Sequence, residues 1–212
     1  MIKNRSCIHG IYGILPSGLA TDTLLKQAEE AMRGGVLVLQ YRDKTRAFKR
    51  ARKQCLALRA LCHHYHCALI INDSVQLAKD CDADGVHLGR EDISNLAQTR
   101  NEIGGKLCMG ITCRGDAALA QHALACGADY ISFGAIFATT SKKNVPVIGL
   151  ARLQKARSLF PDASICAIGG INVDTILPTR MCGADAVAVI SSLFSSTNIE
   201  QQARTMVAAW EA

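Results

Sequence analysis

The sequence predicts an α/β fold, a single-domain (β/α)8 (TIM) barrel in which helices surround a closed parallel sheet. Eight short apolar runs typical of buried strands alternate with longer stretches of helical pattern. Eight such units is the number found in a closed barrel. Apolar residues make up 49% of the chain and aromatic residues only 5%, which suits parallel strands covered by helices. We therefore expect residues 1–212 to form one barrel domain.

The first half of the chain contains four strand-like runs, rich in β-branched and aliphatic residues, each followed by a helical pattern. The predicted strands are residues 10–15, 36–41, 68–71 and 85–88. The predicted helices are residues 21–33, a long helix that ends near residue 60, residues 74–81 and residues 94–103. Thr21 or Asp22 is the expected N-cap of the first helix.

The second half repeats this alternation. Its predicted strands are residues 107–111, 130–133, 164–168 and 186–190. Its predicted helices are residues 116–126, 150–159 and 173–181, and a closing helix that runs through residue 210.

An Ala-Asp dipeptide recurs at residues 83–84, 128–129 and 184–185, immediately before predicted strands four, six and eight. Recurrence at the same place in the pattern indicates repeated βα units and favours the barrel. The alternative is an open doubly wound sheet, which is weaker because no strand opens into the GxGxxG pattern of such folds.

The net charge of +6 is spread along the chain and suits a polyanionic small molecule. Nucleic-acid binding is the minority interpretation, because no basic stripe studded with aromatic residues is present. No apolar run approaches the length of a membrane span, and residues 1–10 do not resemble a signal peptide. We expect a cytoplasmic protein without nucleic-acid or membrane partners. The sequence leaves open whether it forms a homo-oligomer.

The ten cysteines are interpreted as small apolar residues, because the chain does not resemble a small secreted protein. The densest group, from Cys62 to Cys67, also holds three histidines. Zinc binding is the alternative there, but no second ligand pair stands at finger spacing. We predict a structural role for this group.

Functional side chains of a barrel gather where the strands end. After strand two, alternation directs Gln40, Arg42 and Lys44 to one side, where they could grip a diphosphate and a nearby polar ring. Asp73 and Asp92 follow strands three and four. Two carboxylates on neighbouring loops suit Mg²⁺, and the alternative for each is helix N-capping.

Three further segments suggest phosphate binding. Residues 139–143 place three hydroxyl groups and two lysines beyond strand six, although a solvated loop is the alternative. The pair Gly169–Gly170 after strand seven and the pair Ser191–Ser192 after strand eight match the phosphate cradle common in barrels.

Taken together, these residues resemble the thiamine-phosphate synthase family from about residue 12 to residue 194. The resemblance rests on the following motifs: Gln40-Tyr41-Arg42-Asp43-Lys44, Asn72-Asp73, residues 85–89 with Asp92, Thr139-x-Ser141-Lys142, residues 167–171 and residues 189–191. It implies a transferase of thiamine biosynthesis that joins a pyrimidine-methyl diphosphate to a thiazole phosphate. The products would be thiamine phosphate and pyrophosphate, with Mg²⁺ as the cofactor.

The resemblance also assigns roles to the residues. The diphosphate and pyrimidine would contact the segment Gln40, Tyr41, Arg42, Asp43 and Lys44, together with Asn72, Thr112 and Lys142. The thiazole phosphate would contact Thr139, Ser141, Gly170, Ile190 and Ser191. Asp73 and Asp92 would hold Mg²⁺, and Arg42, Lys44 and Lys142 would act on the departing pyrophosphate. This chain departs from the family pattern at Thr112, Ser74 and Pro16.

The implied chemistry is a dissociative transfer that needs no protein nucleophile. His87 lies within predicted strand four, so we predict a packed or hydrogen-bonded histidine there rather than a general base. Two alternatives stay open. One is a related barrel that isomerises a thiazole phosphate, and the other is a catalytically silent phosphate-binding sensor.

Overall fold

Eight parallel strands close into a barrel in chain order in the computed structural model, which describes residues 8–43, 47–89, 95–139 and 145–212. The strands are β1 (Gly10–Ile14), β2 (Val38–Tyr41), β3 (Ala68–Asn72), β4 (Gly85–Leu88), β5 (Cys108–Arg114), β6 (Tyr130–Phe133), β7 (Ser164–Ile168) and β8 (Ala186–Val189). Parallel pairing of β8 with β1 closes the sheet, with Tyr12 opposite Ala188. The predicted closed barrel is confirmed, and the open-sheet alternative is wrong.

Helices follow the strands around the outside. They are α1 (Thr21–Arg33), α2 (Phe48–His64), α3 (Val75–Asp80), α4 (Leu96–Ile103), α5 (Ala117–Ala125), α6 (Gly149–Leu159), α7 (Val173–Met181), α8 (Ser191–Phe194) and α9 (Ile199–Glu211).

Most boundaries agree with the predictions within a few residues, and three differences have a clear structural basis. The N-cap position of α1 is Ala20, which has no side-chain acceptor, so neither Thr21 nor Asp22 caps this helix. Strand β5 continues past residue 111, with a register shift against β6 between Thr112 and Arg114. The predicted closing helix is divided into α8 and α9, because the Asn198 side chain accepts a hydrogen bond from the Gln201 N–H and starts a new helix.

Two apolar layers result from the alternation of side chains along the strands. Inward-facing residues such as Tyr12, Ile70 and Tyr130 fill the inside of the barrel. Residues that alternate with them, such as Ile11 and Ile71, pack with the apolar faces of the helices in a larger outer layer. The inner layer fills the amino-terminal part of the barrel and leaves the carboxyl ends of the strands open.

The repeated aspartates form repeated hydrogen bonds below the barrel. Each carboxylate accepts a hydrogen bond from the backbone N–H of the second residue of the preceding strand and binds an arginine from the helix before that strand. The three sets are Asp84 with the Leu69 N–H (2.8 Å) and Arg59 (3.2 Å), Asp129 with the Met109 N–H (2.8 Å) and Arg100 (2.5 Å), and Asp185 with the Ile165 N–H (2.7 Å) and Arg157 (2.5 Å). The recurrence found in the sequence therefore marks a structural repeat, far from the open end of the barrel.

The last helix, α9, packs against α1, α7 and β1 and so lies across the seam between the two ends of the chain. Glu200 of α9 forms an ion pair with Arg33 of α1 at 2.9 Å. On the other side, Arg180 of α7 donates a hydrogen bond to the carbonyl oxygen of Trp210 and lies over the indole ring.

Most cysteines pack as predicted. Cys55 and Cys166 are buried free thiols, whereas Cys126 and Cys182 are half-buried. Cys108 is an exception because it is disulfide-bonded. Over the four described ranges, no helix is both long and apolar enough to cross a membrane.

Candidate active site

A cavity of about 550 Å³ opens at the carboxyl ends of the strands. This volume lies within the range of pockets that bind small organic ligands. The lining residues come from every strand of the barrel and the segments that follow them, as expected for a functional site in this fold.

One part of the lining carries the side chains predicted to hold a pyrimidine diphosphate. Gln40, Arg42, Asn72 and Thr112 all line the cavity. Gln40 is buried, whereas Arg42 and Thr112 are half-buried. Alternation along β2 therefore directs Gln40 and Arg42 to one side, as predicted.

The structure does not bring Tyr41 and Asp43 to the cavity. The Tyr41 side chain belongs to the outer layer, and its hydroxyl donates a hydrogen bond to Oε1 of Gln54 in α2 at 2.9 Å. Asp43 accepts a hydrogen bond from the Gly18 N–H at 3.1 Å. Tyr41 alternates with Gln40 along β2 and its side chain points to the opposite side of that strand, so the structure does not bring Tyr41 and Asp43 together with Gln40 and Arg42.

Below this part of the lining, five polar side chains form one continuous hydrogen-bonded chain. Gln40 Nε2 donates to the Tyr12 hydroxyl at 2.8 Å, and the Tyr12 and Tyr130 hydroxyls are 3.1 Å apart. The Tyr130 hydroxyl is 2.8 Å from His87 Nδ1, and His87 Nε2 is 2.8 Å from Thr112 Oγ1. Both ring nitrogens of His87 are thus engaged, which confirms the prediction of a hydrogen-bonded histidine.

Burial keeps these hydrogen-bonded side chains uncharged. Desolvation lowers the pKa of His87 to about 4, although the Asp73 carboxylate opposes the shift. Desolvation also raises the pKa of Tyr12 and of Tyr130 well above the ordinary value for a phenol. Near neutral pH, the imidazole and both phenols are therefore neutral.

Gly110 makes room for Tyr130. A Cβ atom at position 110 would lie 1.9 Å from Cζ and 2.3 Å from the hydroxyl oxygen of Tyr130. Because Gly110 has no side chain, the phenol ring reaches across β5 towards His87, against which it stacks with a centroid separation of 5.5 Å.

A second part of the lining is formed largely by backbone. Gly169 and Gly170 have φ angles of 101° and 68°, which favour glycine. They lie so close to residues 135–138 that a Cβ at Gly170 would be 2.3 Å from the carbonyl oxygen of Ala138. Thr139, Gly170, Ile190 and Ser191, the described residues that were predicted to contact the thiazole phosphate, all line this part of the cavity.

Asp73 also lines the cavity. It adopts a left-handed φ of 63°, which is uncommon outside glycine. The N-cap of α3 is its neighbour Ser74, whose Oγ accepts a hydrogen bond from the Leu77 N–H at 3.1 Å. The alternative in which Asp73 caps this helix is therefore wrong. A carboxylate at such a cavity is a suitable ligand for Mg²⁺.

Residues 11–193 match the model of the family described as Thiamine monophosphate synthase. The chain belongs to this family. It is 40% identical over 208 residues to the Thiamine-phosphate synthase of Alcanivorax borkumensis, covering 96% of this chain and 95% of that protein. It is 42% identical over 197 residues to the enzyme of the same name from Methylobacillus flagellatus, covering 93% of each. The predicted family and the prediction of a transferase are confirmed.

Solved structures agree with the barrel. Thiamine phosphate pyrophosphorylase from Pyrococcus furiosus superposes with a TM-score of 0.84 and 28% identity, over 95% of each chain. A 3-hexulose-6-phosphate synthase superposes with a TM-score of 0.73 at 19% identity, covering 94% of this chain and 99% of that one, and shows the fold alone.

Four of the predicted site residues lie outside the described part of the chain: Lys44, Asp92, Ser141 and Lys142. Their roles stay predictions.

Several cavity residues were not among the predicted site residues. Tyr12, His87, Ser132 and Arg114 all line the cavity. Arg114 could have been found, because it continues the alternation of Gly110 and Thr112 along β5. The other three lie inside the strands, and their sequence pattern does not distinguish them from core residues.

Proposed function

We propose that this chain is a Mg²⁺-dependent thiamine-phosphate synthase. It would transfer the aminopyrimidine-methyl group of a pyrimidine-methyl diphosphate to the nitrogen of a thiazole phosphate, giving thiamine phosphate and pyrophosphate. The observation that carries this proposal is that one cavity has two different polar linings. One offers an amide, a guanidinium and a hydroxyl, and the other offers closely packed glycine backbone and serines.

The first lining suits the pyrimidine diphosphate. Gln40 and Thr112, which are joined through the buried chain of hydrogen bonds, would hold the polar edge of the pyrimidine ring. Arg42 and Asn72 would bind the diphosphate, because a guanidinium pairs well with phosphate oxygens. Lys44 and Lys142 complete this set in the proposal.

The second lining suits the thiazole phosphate. Gly169 and Gly170 allow the backbone to approach a phosphate closely, and the hydroxyls of Thr139 and Ser191 supply further donors. Ile190 would contact the thiazole ring or its phosphate, and Ser141 belongs to this set in the proposal.

Asp73, together with Asp92, would hold Mg²⁺. One or two carboxylates with phosphate oxygens and waters is the usual donor set for this ion, and Asp73 stands at the cavity beside Arg42 and Asn72. When bound, the ion would neutralise charge on the pyrophosphate.

In the reaction, the bond between the exocyclic methylene and the diphosphate oxygen breaks, and its electron pair leaves with pyrophosphate. The lone pair of the thiazole nitrogen then forms the new carbon–nitrogen bond. Arg42, with Lys44 and Lys142, would stabilise the growing negative charge. His87 is not suited to act as a base, because both ring nitrogens already contact Tyr130 and Thr112. Positioning of the two substrates is the main contribution of the barrel.

Pyrophosphate release tests the proposal. The purified protein should form pyrophosphate only when the pyrimidine diphosphate, the thiazole phosphate and Mg²⁺ are all present. Conversion of the thiazole phosphate without the diphosphate would instead favour the isomerase alternative. Binding of thiazole phosphate without turnover would favour the sensor. A cytoplasmic location belongs to the same proposal.

A further inference from the structure

The buried chain of hydrogen bonds has a restricted number of protons. Four hydrogen bonds connect Gln40, Tyr12, Tyr130, His87 and Thr112 in that order. Each phenol has one proton, and the neutral imidazole has one. Three internal protons must therefore serve four bonds, so that the fourth proton comes from one of the two ends.

This count allows two consistent arrangements. In the first, Gln40 Nε2 donates to Tyr12, each phenol donates onward, and His87 donates through Nε2 to Thr112. Gln40 Oε1 is then left as an acceptor, and the Thr112 hydroxyl proton is left as a donor. In the second, the Gln40 amide is rotated by about 180°, so that Oε1 accepts from Tyr12 and the other three bonds are reversed. Thr112 then donates to His87 Nε2 and offers only an acceptor to the cavity, and Gln40 offers its Nε2 N–H groups.

Mixed arrangements carry a defect. If both ends donated into the chain, one bond would hold two protons, and if neither did, one bond would hold none. Either defect lies among buried or half-buried groups, where an unsatisfied polar atom is costly. The two ends of the chain are thus obliged to have opposite character.

Gln40 and Thr112 belong to β2 and β5, with β3 and β4 between them. Both line the same cavity. The chain through Tyr12, Tyr130 and His87 therefore couples two residues that are not neighbours in the sheet.

We propose that Tyr12, Tyr130 and His87 are positioning residues that couple Gln40 to Thr112, so that the cavity selects a ligand edge with a hydrogen-bond donor at one end and an acceptor at the other. This inference rests on the proposed function, in which the ligand is an aminopyrimidine. The amino group donates to Gln40 Oε1, and a ring nitrogen accepts from the Thr112 hydroxyl. An edge with two acceptors satisfies only one end.

The first test measures binding of two pyrimidine-methyl diphosphates by calorimetry without the thiazole phosphate. One analogue carries the amino group, and the other carries methoxy in its place, which offers acceptors only. Tyr130→Phe cuts the chain, so that Gln40 and Thr112 choose their orientation separately. We expect the preference of the intact protein for the amino ligand to fall by about ten-fold in this variant, as for a relieved unsatisfied polar group.

Tyr41→Phe is the matched control. It also removes a phenol that is hydrogen-bonded and buried, but outside the cavity, so the preference should stay as in the unchanged protein. An unchanged preference in Tyr130→Phe, or the same fall in Tyr41→Phe, would overturn the proposal. If Tyr130→Phe does not fold, Tyr12→Phe cuts the same chain one bond earlier and has the same expected result.

The second test needs no substitution. Nitrogen-15 NMR of the imidazole should show His87 protonated at Nε2 with the amino ligand. With the oxo analogue, whose edge presents an acceptor and then an N–H donor, the proton should move to Nδ1. The same tautomer with both ligands would contradict the coupling. Because both tests measure binding, they remain decisive even if the protein releases no pyrophosphate, a result that would refute the proposed function alone.

Discussion

Gly110→Ala should be among the most damaging single-methyl additions in this protein. The added Cβ would lie 1.9 Å from Cζ and 2.2 Å from Cε1 of Tyr130. Ordinary carbon–carbon contact begins at about 3.5 Å, so the ring must move by roughly 1.5 Å. Tyr130 is completely buried, so there is no free space for this movement.

The displaced ring loses its hydrogen bonds as well as its packing. A shift of this size breaks the 2.8 Å contact with His87 and weakens the 3.1 Å contact with Tyr12. Overpacking costs about 1–3 kcal/mol, and a buried polar group left without a partner costs about 1–3 kcal/mol more. We expect the free energy of unfolding to fall by about 3–5 kcal/mol. This corresponds to a melting temperature lower by roughly 6–20 °C for a chain of this size.

Thermal and urea unfolding of Gly110→Ala and Gly105→Ala provide the measurement. Gly105 has open space around its Cβ position and no left-handed φ, so its alanine variant should be unchanged or more stable by up to about 1 kcal/mol. A Gly110→Ala protein as stable as the Gly105→Ala protein would refute the argument from Tyr130. Pyrimidine diphosphate binding, measured on any folded Gly110→Ala protein, should also be weakened.

Four further outcomes are expected. Gly170→Val should raise KM for the thiazole phosphate more than KM for the pyrimidine diphosphate, because the new side chain meets Ala138 and Phe137. Equal effects on the two KM values in steady-state assays would count against a thiazole phosphate site at Gly170. Lys142→Ala should lower kcat roughly ten- to thousand-fold, since the contact strengthens as pyrophosphate departs, whereas a raised KM alone would mean that the lysine only attracts substrate. Asp73→Asn and Asp92→Asn should each need more Mg²⁺ for pyrophosphate release. The double variant should lose less activity than the product of the two single losses, because one shared ion is removed in both cases. Activity that does not respond to a chelator would exclude the shared ion. Asp185→Ala should lower the free energy of unfolding by about 2 kcal/mol, because it leaves the Ile165 N–H without its acceptor. Asp162→Ala, at an exposed position, should have no measurable effect, and similar melting temperatures for the two variants would contradict the structural role of the repeat.

Local sequence patterns predicted the order of the strands and helices in the barrel and many of the residues that line its cavity. The alternation after β2 placed Gln40 and Arg42 correctly, because side chains of a strand point to opposite sides whatever the rest of the chain does. The same rule would have directed Tyr41 and Asp43 away from Gln40 and Arg42. The family motif included them because a motif records neighbouring positions without regard to side-chain direction.

Partners distant in sequence could not be predicted in this way. The contact of Tyr12 with Tyr130 joins residues 118 positions apart, and it depends on the curvature of the closed sheet and the missing side chain of Gly110. The Ala-Asp repeat was visible in the sequence, but its arginines stand at different distances before each aspartate. Only the structure pairs Asp129 with Arg100 and Asp185 with Arg157.

The position of α9 has a consequence for how the protein is made. During synthesis, β1 is made before the other strands of the barrel, and its partner β8 follows only after more than 170 further residues. The helix that holds α1 and α7 together is later still. Contacts between such distant segments are slow to form because a long loop must close first. The nascent chain therefore carries an unpaired edge on β1 until β8 has been made, and ring closure must wait for that strand and for the thirteen-residue helix α9.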